Sequence, residues 1–216
     1  MRALVTGATR GIGAAIAKAL EANGIQTFAP SRTVGYDLID PVARHRAWED
    51  CGPVDILVNN VGGSGRWGCY EVEQTPELVW AESWQKNVQA AADFTSWALP
   101  AMMDRGWGRV VTISSIHALE AGGRPWFAAA KAAQIAMMGS FARDKRFVRR
   151  GITFNTVCPG NVRTEGKPEI DMAHTPMGRM GLPEDIANVV GFLCSANAAF
   201  VNGVCMPVDG GESNCF

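Results

Sequence analysis

Short apolar runs alternate with longer stretches of helically spaced apolar residues along this chain. The first run, Ala3 to Val5, ends in a turn with three glycines, and apolar residues then recur from Ile12 to Leu20 on one helix face. This pattern predicts a strand, a tight turn and a helix. Because such a turn points backbone N–H groups and the positive end of the helix at one spot, we expect an anion to bind there.

The alternation continues to the end of the chain. Asp40 and Pro41 are typical of a helix N-cap and first helical position, and Pro100 predicts a bend within a later helix. Strands are predicted at residues 2–5, 25–29, 36–38, 54–58, 109–114, 152–157 and 204–208, and helices at 12–23, from 41 onward, at 75–105, at 127–149 and at 183–195.

Nearly continuous apolar strands between helices are typical of a parallel sheet that helices cover on both faces. We therefore predict one α/β domain over residues 1–216, a Rossmann-like doubly wound parallel sheet of about seven strands. Ligands of such sheets bind beyond the carboxyl ends of the strands. The glycine-rich turn, the segment from Asn60 to Gly62, Ser115 and Pro159-Gly160 all follow strands, so we expect them to converge on one cleft.

Composition and charge narrow the range of partners. The 216 residues are 47% apolar, enough to bury a full core, and the net charge of −1 favours neither a nucleic acid nor a membrane surface as partner. The basic run from Arg143 to Arg150 closes a predicted helix, where cations suit the helix dipole. Because the first strand starts at residue 2 and no apolar stretch reaches membrane length, we expect a cytoplasmic protein.

The cysteines and histidines do not form a metal-binding pattern. The six cysteines include no C-x-x-C pair, and the three histidines are scattered along the chain. In a reducing compartment the cysteines are most simply free thiols. Cys158 precedes Pro159 at a predicted strand end, and a structural role is favoured for it. We expect no metal.

Six motifs in the same order resemble those of the short-chain dehydrogenase/reductase family, and the resemblance covers essentially the whole chain. They are the turn from Thr6 to Gly13, the segment from Asn59 to Gly62, Asn87 on a helix, Ile113 to Ser115, Pro159 to Thr164, and the ending from Val208 to Gly211. The resemblance implies an oxidoreductase that moves a hydride between a nicotinamide cofactor and a carbonyl or alcohol substrate.

The chain departs from this family at Phe127. The family has Tyr-x3-Lys where this chain has Phe127 and Lys131, one helical turn apart. In the family the tyrosine exchanges a proton with the substrate, the lysine holds the cofactor ribose, the serine orients the substrate oxygen and the asparagine positions a water. The catalytic positions by resemblance are thus Asn87, Ser115, Phe127 and Lys131. A positioned general acid contributes about 10²- to 10⁴-fold in rate, so we expect good cofactor binding and poor turnover.

Three explanations of Phe127 stay open. Phe127 is an engineered replacement of tyrosine that traps substrate and cofactor, or the natural enzyme uses another proton donor such as His117 or a water molecule. Alternatively, the protein is a non-catalytic NADP-binding sensor or scaffold. The intact remainder of the site favours an enzyme, although Lys131 could persist for ribose binding alone.

NADP(H) is the expected cofactor. The second strand ends at Ser31-Arg32 with no acidic residue before Asp37, so the usual carboxylate partner of an NAD ribose is missing. Arg32 and Arg10 can instead bind a 2′-phosphate, and Asp37 is expected near the adenine. The full set of predicted cofactor-binding residues is Gly7, Thr9, Arg10, Gly11, Ile12, Gly13, Ser31, Arg32, Asp37, Leu38, Asn60, Val61, Gly62, Lys131, Pro159, Gly160, Val162 and Thr164.

The predicted substrate-binding residues are Ser115, His117 and Trp126, with Trp67 as a further aromatic candidate. Ser115 is chosen over Ser114 by its place at the strand end, although the family's usual spacing from serine to tyrosine would select Ser114. A short lid segment near residues 164–175 predicts an open site for a small-molecule carbonyl or alcohol.

We also expect a homo-oligomer, a tetramer or a dimer. By resemblance, the helices that carry Asn87 and Lys131 pack against their copies, and Trp97, Met102, Met103, Met137 and Met138 lie on those helices.

Overall fold

The computed structural model describes residues 1–63, 72–120, 124–166, 169–173 and 175–214. Its centre is a six-stranded parallel sheet in the order β2-β1-β3-β4-β5-β6. The strands are β1 Arg2–Val5, β2 Gln26–Phe28, β3 Ile56–Asn59, β4 Gly108–Ile113, β5 Ile152–Pro159 and β6 Cys205–Val208. The helices are α1 Gly11–Ala22, α2 Pro41–Cys51, α3 Glu77–Trp84, α4 Ala90–Arg105, α5 Pro125–Phe141, α6 Lys145–Val148 and α7 Pro183–Leu193.

Helices cover both faces of the sheet. On one face α1 and α7 pack Ile16 and Val190 against β1, β3 and β4. On the other face α2, α4 and α5 bury a second cluster that includes Phe94, Met138 and Phe154. The chain therefore forms the doubly wound α/β sheet that its apolar pattern predicts.

The short strand predicted at residues 36–38 is wrong. After the 3₁₀ turn Arg32–Val34, the Tyr36 N–H donates to the Ser31 carbonyl, and the Asp37 carboxylate accepts from the Ile39 N–H. A side chain that bonds to its own backbone in this way competes with a strand ladder. The described residues accordingly form six strands rather than about seven.

The single helix predicted at residues 127–149 is divided in two. Helix α5 ends at Phe141, and Asp144 caps α6 by accepting from the Arg146 N–H at 2.9 Å. The predicted helix at 75–105 does run through, but it includes a π turn at Gln85–Gln89 between α3 and α4. Pro100 lies inside α4.

The carboxyl ends of β1, β3, β4 and β5 open onto one edge of the sheet, and the motifs that follow these strands meet there. Within the described ranges, no helix is long and apolar enough to cross a membrane. The same part of the chain holds no group of three or more histidine, cysteine, aspartate or glutamate side chains placed to bind a metal ion.

Candidate active site

Two connected chambers form a cleft at this edge of the sheet. One, of about 390 Å³, lies over the β1–α1 turn, and the other, of about 540 Å³, lies over the ends of β4 and β5. Ile12, Asn60, Gly62 and Thr164 line both chambers, so the cleft is continuous. We call the first the turn chamber and the second the catalytic chamber.

The turn chamber collects most of the residues predicted to hold a cofactor. Beyond the four shared residues, it is lined by Gly7, Thr9, Arg10, Gly11, Gly13, Ser31, Arg32, Asp37, Leu38 and Val61. Helix α1 begins at Gly11, and among the described residues no side chain caps its first turn. Backbone N–H groups at the positive end of a 12-residue helix are therefore available to an anion, as the sequence predicts.

This turn requires glycines because neighbouring backbone and side-chain atoms approach it closely. Gly7 has φ of 68°, a conformation that other residues rarely adopt. A Cβ on Gly13 would overlap Asn60 Nδ2 and would lie 2.6 Å from the Gly7 carbonyl oxygen. The Thr6 hydroxyl then joins the turn to the end of β3 by accepting from the N–H groups of Asn60 and Val61, both at 3.0 Å.

Hydroxyl groups and arginines surround the end of β2. Ser31 Oγ lies 2.9 Å from Thr33 Oγ1, which donates to Thr9 Oγ1 at 3.1 Å. Arg10 and Arg32 are exposed beside them and line the same chamber. Two carboxylates, those of Asp37 and Glu165, also line it.

The catalytic chamber is lined by three of the four positions predicted to be catalytic, Ser115, Phe127 and Lys131, and by His117, which was predicted to bind substrate. Three residues predicted to bind cofactor, Pro159, Gly160 and Val162, also line it, whereas Asn87 is not among its described lining residues. The Phe127 ring faces His117, with 6.5 Å between the ring centroids, and Lys131 Nζ lies 5.7 Å from the centroid of the Phe127 ring. Phe127 thus lies next to His117 and Lys131 in the chamber wall but offers no proton.

Lys131 is almost fully buried, with 3% of its surface exposed. Burial, with a smaller contribution from the charge of Lys86, lowers the pKa of Lys131 to about 7. Its Nζ donates to the Ile113 carbonyl oxygen at 2.8 Å and to Gln134 Oε1 at 3.1 Å. The amine therefore sits at the floor of the cleft in a defined direction.

The two serines at the end of β4 differ in what their hydroxyls do. Ser114 Oγ donates its proton to the Lys131 carbonyl oxygen at 2.9 Å, so this hydroxyl joins β4 to α5. Ser115 Oγ instead accepts from the His117 N–H at 3.2 Å, which leaves its own proton free to donate. This arrangement supports the choice of Ser115 as the serine that faces a substrate.

Asn87 lies in the π turn and is fully buried. Its Nδ2 donates to the Ser83 carbonyl at 2.9 Å, and its Oδ1 accepts from the Gly63 N–H at 3.1 Å. A π turn is a frequent local distortion at functional sites. Here it directs Asn87 at the backbone where the two chambers join.

Comparisons with known proteins agree with this geometry. A family model described as Enoyl-(Acyl carrier protein) reductase matches residues 41–213. An acetoacetyl-CoA reductase of Rhizobium meliloti is 35% identical, with 97% of each chain covered, and the 3-oxoacyl-[acyl-carrier-protein] reductase FabG of Escherichia coli is 32% identical, with 97% of this chain and 96% of that protein covered. A solved short chain dehydrogenase/reductase family protein superposes with a TM-score of 0.87 at 29% identity, covering 98% of this chain and 96% of the other.

The chain belongs to the short-chain dehydrogenase/reductase family. The family's members include oxidoreductases, and the parallel sheet flanked by helices is the same as in its solved structures. A second solved relative, an oxidoreductase from Burkholderia thailandensis, has a TM-score of 0.83 at 28% identity, with 97% of this chain and 91% of the other covered.

In this short-chain dehydrogenase/reductase, the C-terminal segment forms hydrogen bonds to the loop after β5. The Glu212 carboxylate accepts from the backbone N–H of Asn161 at 2.7 Å and from the Asn161 side chain. Cys158 is buried near the end of β5, with its Sγ 3.5 Å from that of Cys205. Hydrogen bonding to the Cys205 thiol and burial raise the pKa of Cys158, which favours the neutral thiol over the nucleophilic thiolate.

Trp126 does not line the cleft of this short-chain dehydrogenase/reductase. Its side chain is 2% exposed and packs against Val79 and Trp80, because its place at the start of α5 turns it toward α3. The expected substrate contact from Trp126 is therefore not supported. Trp67 and His174 lie outside the described residues.

Several lining residues were not foreseen from the sequence. They are Thr33, Tyr36, Ile39, Lys86 and Glu165 in the turn chamber, and Gly63, Ile116, Arg124 and Asn161 in the catalytic chamber. Most of them are adjacent in sequence to a predicted residue, so sequence proximity is a signal that could have indicated them. Lys86 directly precedes Asn87, but regular helix spacing does not place it in the cleft, because a π turn changes which side chains share a helix face.

Proposed function

We propose that this protein is an NADP(H)-dependent oxidoreductase that transfers a hydride between the nicotinamide and a carbonyl or alcohol carbon. The observation that carries the proposal is the continuous cleft, with an uncapped helix N-terminus at one end and Ser115 and Lys131 at the other. Asn87 is buried behind the cleft and bonds to the Gly63 backbone where the two chambers join. When bound, the cofactor would supply the hydride. The glycine-rich turn would hold its phosphates, and Lys131 its ribose.

The end of β2 supports NADP(H) rather than NAD(H). Arg10 and Arg32 can each form charge-assisted hydrogen bonds to a 2′-phosphate. The hydroxyls of Ser31, Thr33 and Thr9 form a connected group beside them. No carboxylate stands at the strand end itself, since Asp37 follows five residues after Arg32.

A 3-oxoacyl thioester is the proposed substrate class. The acetoacetyl-CoA reductase and the 3-oxoacyl-[acyl-carrier-protein] reductase among the relatives are named for such substrates. The Ser115 hydroxyl would donate to the reacting carbonyl oxygen, and Asn161 and Val162 would bound the substrate from the β5 loop.

Proton transfer is the step that Phe127 cannot perform. His117 lines the same chamber beside the Phe127 ring, so it is the titratable side chain that we assign as proton donor to the new alcohol oxygen. If Phe127 is the natural residue, His117 supplies this proton. If Phe127 replaces a catalytic tyrosine, the protein has lost its proton donor and His117 contributes little.

Substitutions at Phe127 and His117 test the proposal. Phe127→Tyr places a hydroxyl near Lys131 and should raise NADPH-dependent turnover of 3-oxoacyl thioesters about 10²-fold or more if the chain has lost its only donor. Phe127→Leu is the matched control and should give no gain. If His117 is the donor, the gain from tyrosine should be small, and His117→Ala should abolish the activity of the Phe127 protein.

A non-catalytic NADP-binding sensor or scaffold is the second candidate, because position 127 lacks the titratable hydroxyl while the turn chamber keeps most of the residues predicted to bind the cofactor. It predicts tight NADPH binding, no turnover by either the unmodified chain or the Phe127→Tyr variant, and an NADPH-dependent change in association with a partner protein. Measurable turnover by the unmodified chain would reject it.

A further inference from the structure

Gln134 is a buried amide that contacts Lys131 of the catalytic chamber and the backbone of Asn87. It lies one turn beyond Lys131 on the same face of α5, and its exposed fraction is 0%. Its Oε1 accepts from Lys131 Nζ at 3.1 Å, and its Nε2 donates to the Asn87 carbonyl oxygen at 2.5 Å. Both ends of the amide are engaged, so Gln134 joins α5 to the π turn.

The side chains of Lys131 and Asn87 also come together beside Gly62. A Cβ on Gly62 would lie 2.6 Å from Asn87 Oδ1 and 2.8 Å from Lys131 Nζ. Gly62 lines both chambers, at the point where they connect. Gln134 therefore links Lys131 and Asn87 by hydrogen bonds next to the junction of the two chambers.

The hydrogen bonds of Lys131 show how the protons of its buried amine are used. An ammonium group has three N–H donors, and Lys131 uses two of them on the Ile113 carbonyl and on Gln134. The third is left for a group in the cleft. An apolar side chain at position 134 would remove the acceptor of one buried N–H and the donor to the Asn87 carbonyl, and both losses are costly inside a protein.

We infer that Gln134 is a positioning residue of this site, whose amide holds the Lys131 amine and the π turn with Asn87 at a fixed separation for binding of the cofactor ribose. The inference rests on the proposed function, because Lys131 is assigned there to the ribose of NADP(H). Gln134 is not among the described residues that line the cleft, so it acts through Lys131 and Asn87.

The first test measures the pKa of Lys131 in the cofactor-free protein, by NMR of isotope-labelled lysine side chains, with Lys131→Met to assign the signal. Gln134→Met should lower this pKa by about one to two units, because an acceptor of the charged form is lost. Gln134→Glu should raise it. The other groups that face Lys131, Lys86 of the π turn and Cys158 of β5, are unchanged in both variants.

The second test measures NADPH dissociation constants. Gln134→Met should weaken NADPH binding about tenfold, since roughly one charge-assisted contact is misplaced. Gln89→Met is the matched control, because Gln89 lies in the same π turn but donates to Asp93 at 2.7 Å. It should leave both the Lys131 pKa and the NADPH affinity unchanged.

The outcomes separate the two proposals. If the unmodified chain binds neither NADPH nor NADH, the proposed function fails, and the Lys131 titration still decides the role of Gln134. A Gln134→Met protein with an unchanged Lys131 pKa overturns the inference. If that variant does not fold, Gln134→Glu keeps the side-chain length, and an unchanged or lowered Lys131 pKa in it overturns the inference instead.

Discussion

At the scale of single residues, Lys131 is the charged group on which the catalytic chamber depends. Its amine is buried beneath the cleft and bonded to a carbonyl and an amide rather than to a carboxylate. Burial without a counter-charge disfavours the ammonium form. A group kept in this state costs stability at low pH, and such groups are typical of functional sites.

The pH dependence of stability should reveal this cost. The pKa of Lys131 is lowered from 10.5 to about 7 in the folded protein, so between these values the unfolded chain holds a proton that the folded chain lacks. The free energy of unfolding, relative to that of Lys131→Met, should therefore rise with pH from about 7 to 10.5, by up to about 1.4 kcal/mol per pH unit. Denaturant titrations at several pH values measure it.

Lys18→Met serves as the control for that series, because Lys18 is exposed on α1. The difference between the unmodified chain and Lys18→Met should not change with pH over the same range. If the difference in unfolding free energy between the unmodified chain and Lys131→Met were also independent of pH, the lowered pKa of the buried Lys131 amine would be contradicted.

Arg32 should decide between the two nicotinamide cofactors. Charge-assisted hydrogen bonds contribute about 1.5–3 kcal/mol each, so Arg32→Ala should weaken NADPH binding at least about tenfold while NADH affinity stays the same. Fluorescence titration with both nucleotides measures this. Arg150→Ala, another exposed arginine, is the matched control. Equal NADPH and NADH affinities in the unmodified protein would reject the NADP(H) assignment.

At the scale of elements, the β1–α1 turn and the π turn bring the two chambers together. The first turn is held to β3 through Thr6 and Asn60, and the second carries Asn87 to the same backbone at Gly63. Each is a local departure from regular structure that is stabilised by hydrogen bonds to the neighbouring segment. The connection between the chambers therefore depends on glycines that allow close backbone approach.

Gly13→Ala should disrupt the first of these turns. The new Cβ would meet the Gly7 carbonyl oxygen at 2.6 Å, and a backbone atom cannot move aside without distorting the turn. We expect a loss of roughly 1–3 kcal/mol in the free energy of unfolding and NADPH binding too weak to measure. Thermal unfolding and nucleotide titration test both effects.

Gly191→Ala is the contrasting variant. Gly191 lies within α7, and no described atom comes within 4 Å of an added Cβ. Because alanine favours a helix over glycine, this change should stabilise the protein by about 0.5–1 kcal/mol. Equal effects at the two positions would show that close packing in the turn is not what requires Gly13.

At the scale of the whole molecule, apolar surface remains on the helices expected to pack against copies of the chain. Met102 and Met138 are core residues, and Trp97, Met103 and Met137 pack partly against the core. Leu78, Trp80 and Trp84 on α3 are exposed instead. Exposed large apolar side chains grouped on one helix are compatible with an interface.

We therefore predict a homotetramer or homodimer of the 23.1 kDa chain. Light scattering at micromolar concentration should give about two or four times the monomer mass. Trp84→Ser should lower that mass, while Val42→Ser, at an exposed position on α2, should not. A single species at monomer mass for the unmodified chain would contradict the prediction.

Much of the architecture follows from local patterns. The run before the first glycine, the series from Ile12 to Leu20 and the Asp40-Pro41 cap correspond to β1, α1 and the start of α2. These elements are predicted by the spacing of apolar residues, by helix-capping residues and by glycines that allow turns. All three signals depend only on residues that are close in the sequence. The strand expected at residues 36–38 does not form, because in this loop the Asp37 side chain bonds to the backbone in place of a neighbouring strand. The apolar pattern alone could not exclude a strand there.

The family, the doubly wound fold and the segments that meet at the cleft could all be predicted from the sequence, because they depend on the order of motifs and on where strands end. Which side chains face that cleft became known only from the folded structure. Trp126 turns into the α3 contact, and the Ser114 hydroxyl bonds to α5. Gln134 reaches Asn87, 47 positions away in the chain. These outcomes depend on what lies across the gap between two elements, and no pattern within either element records it.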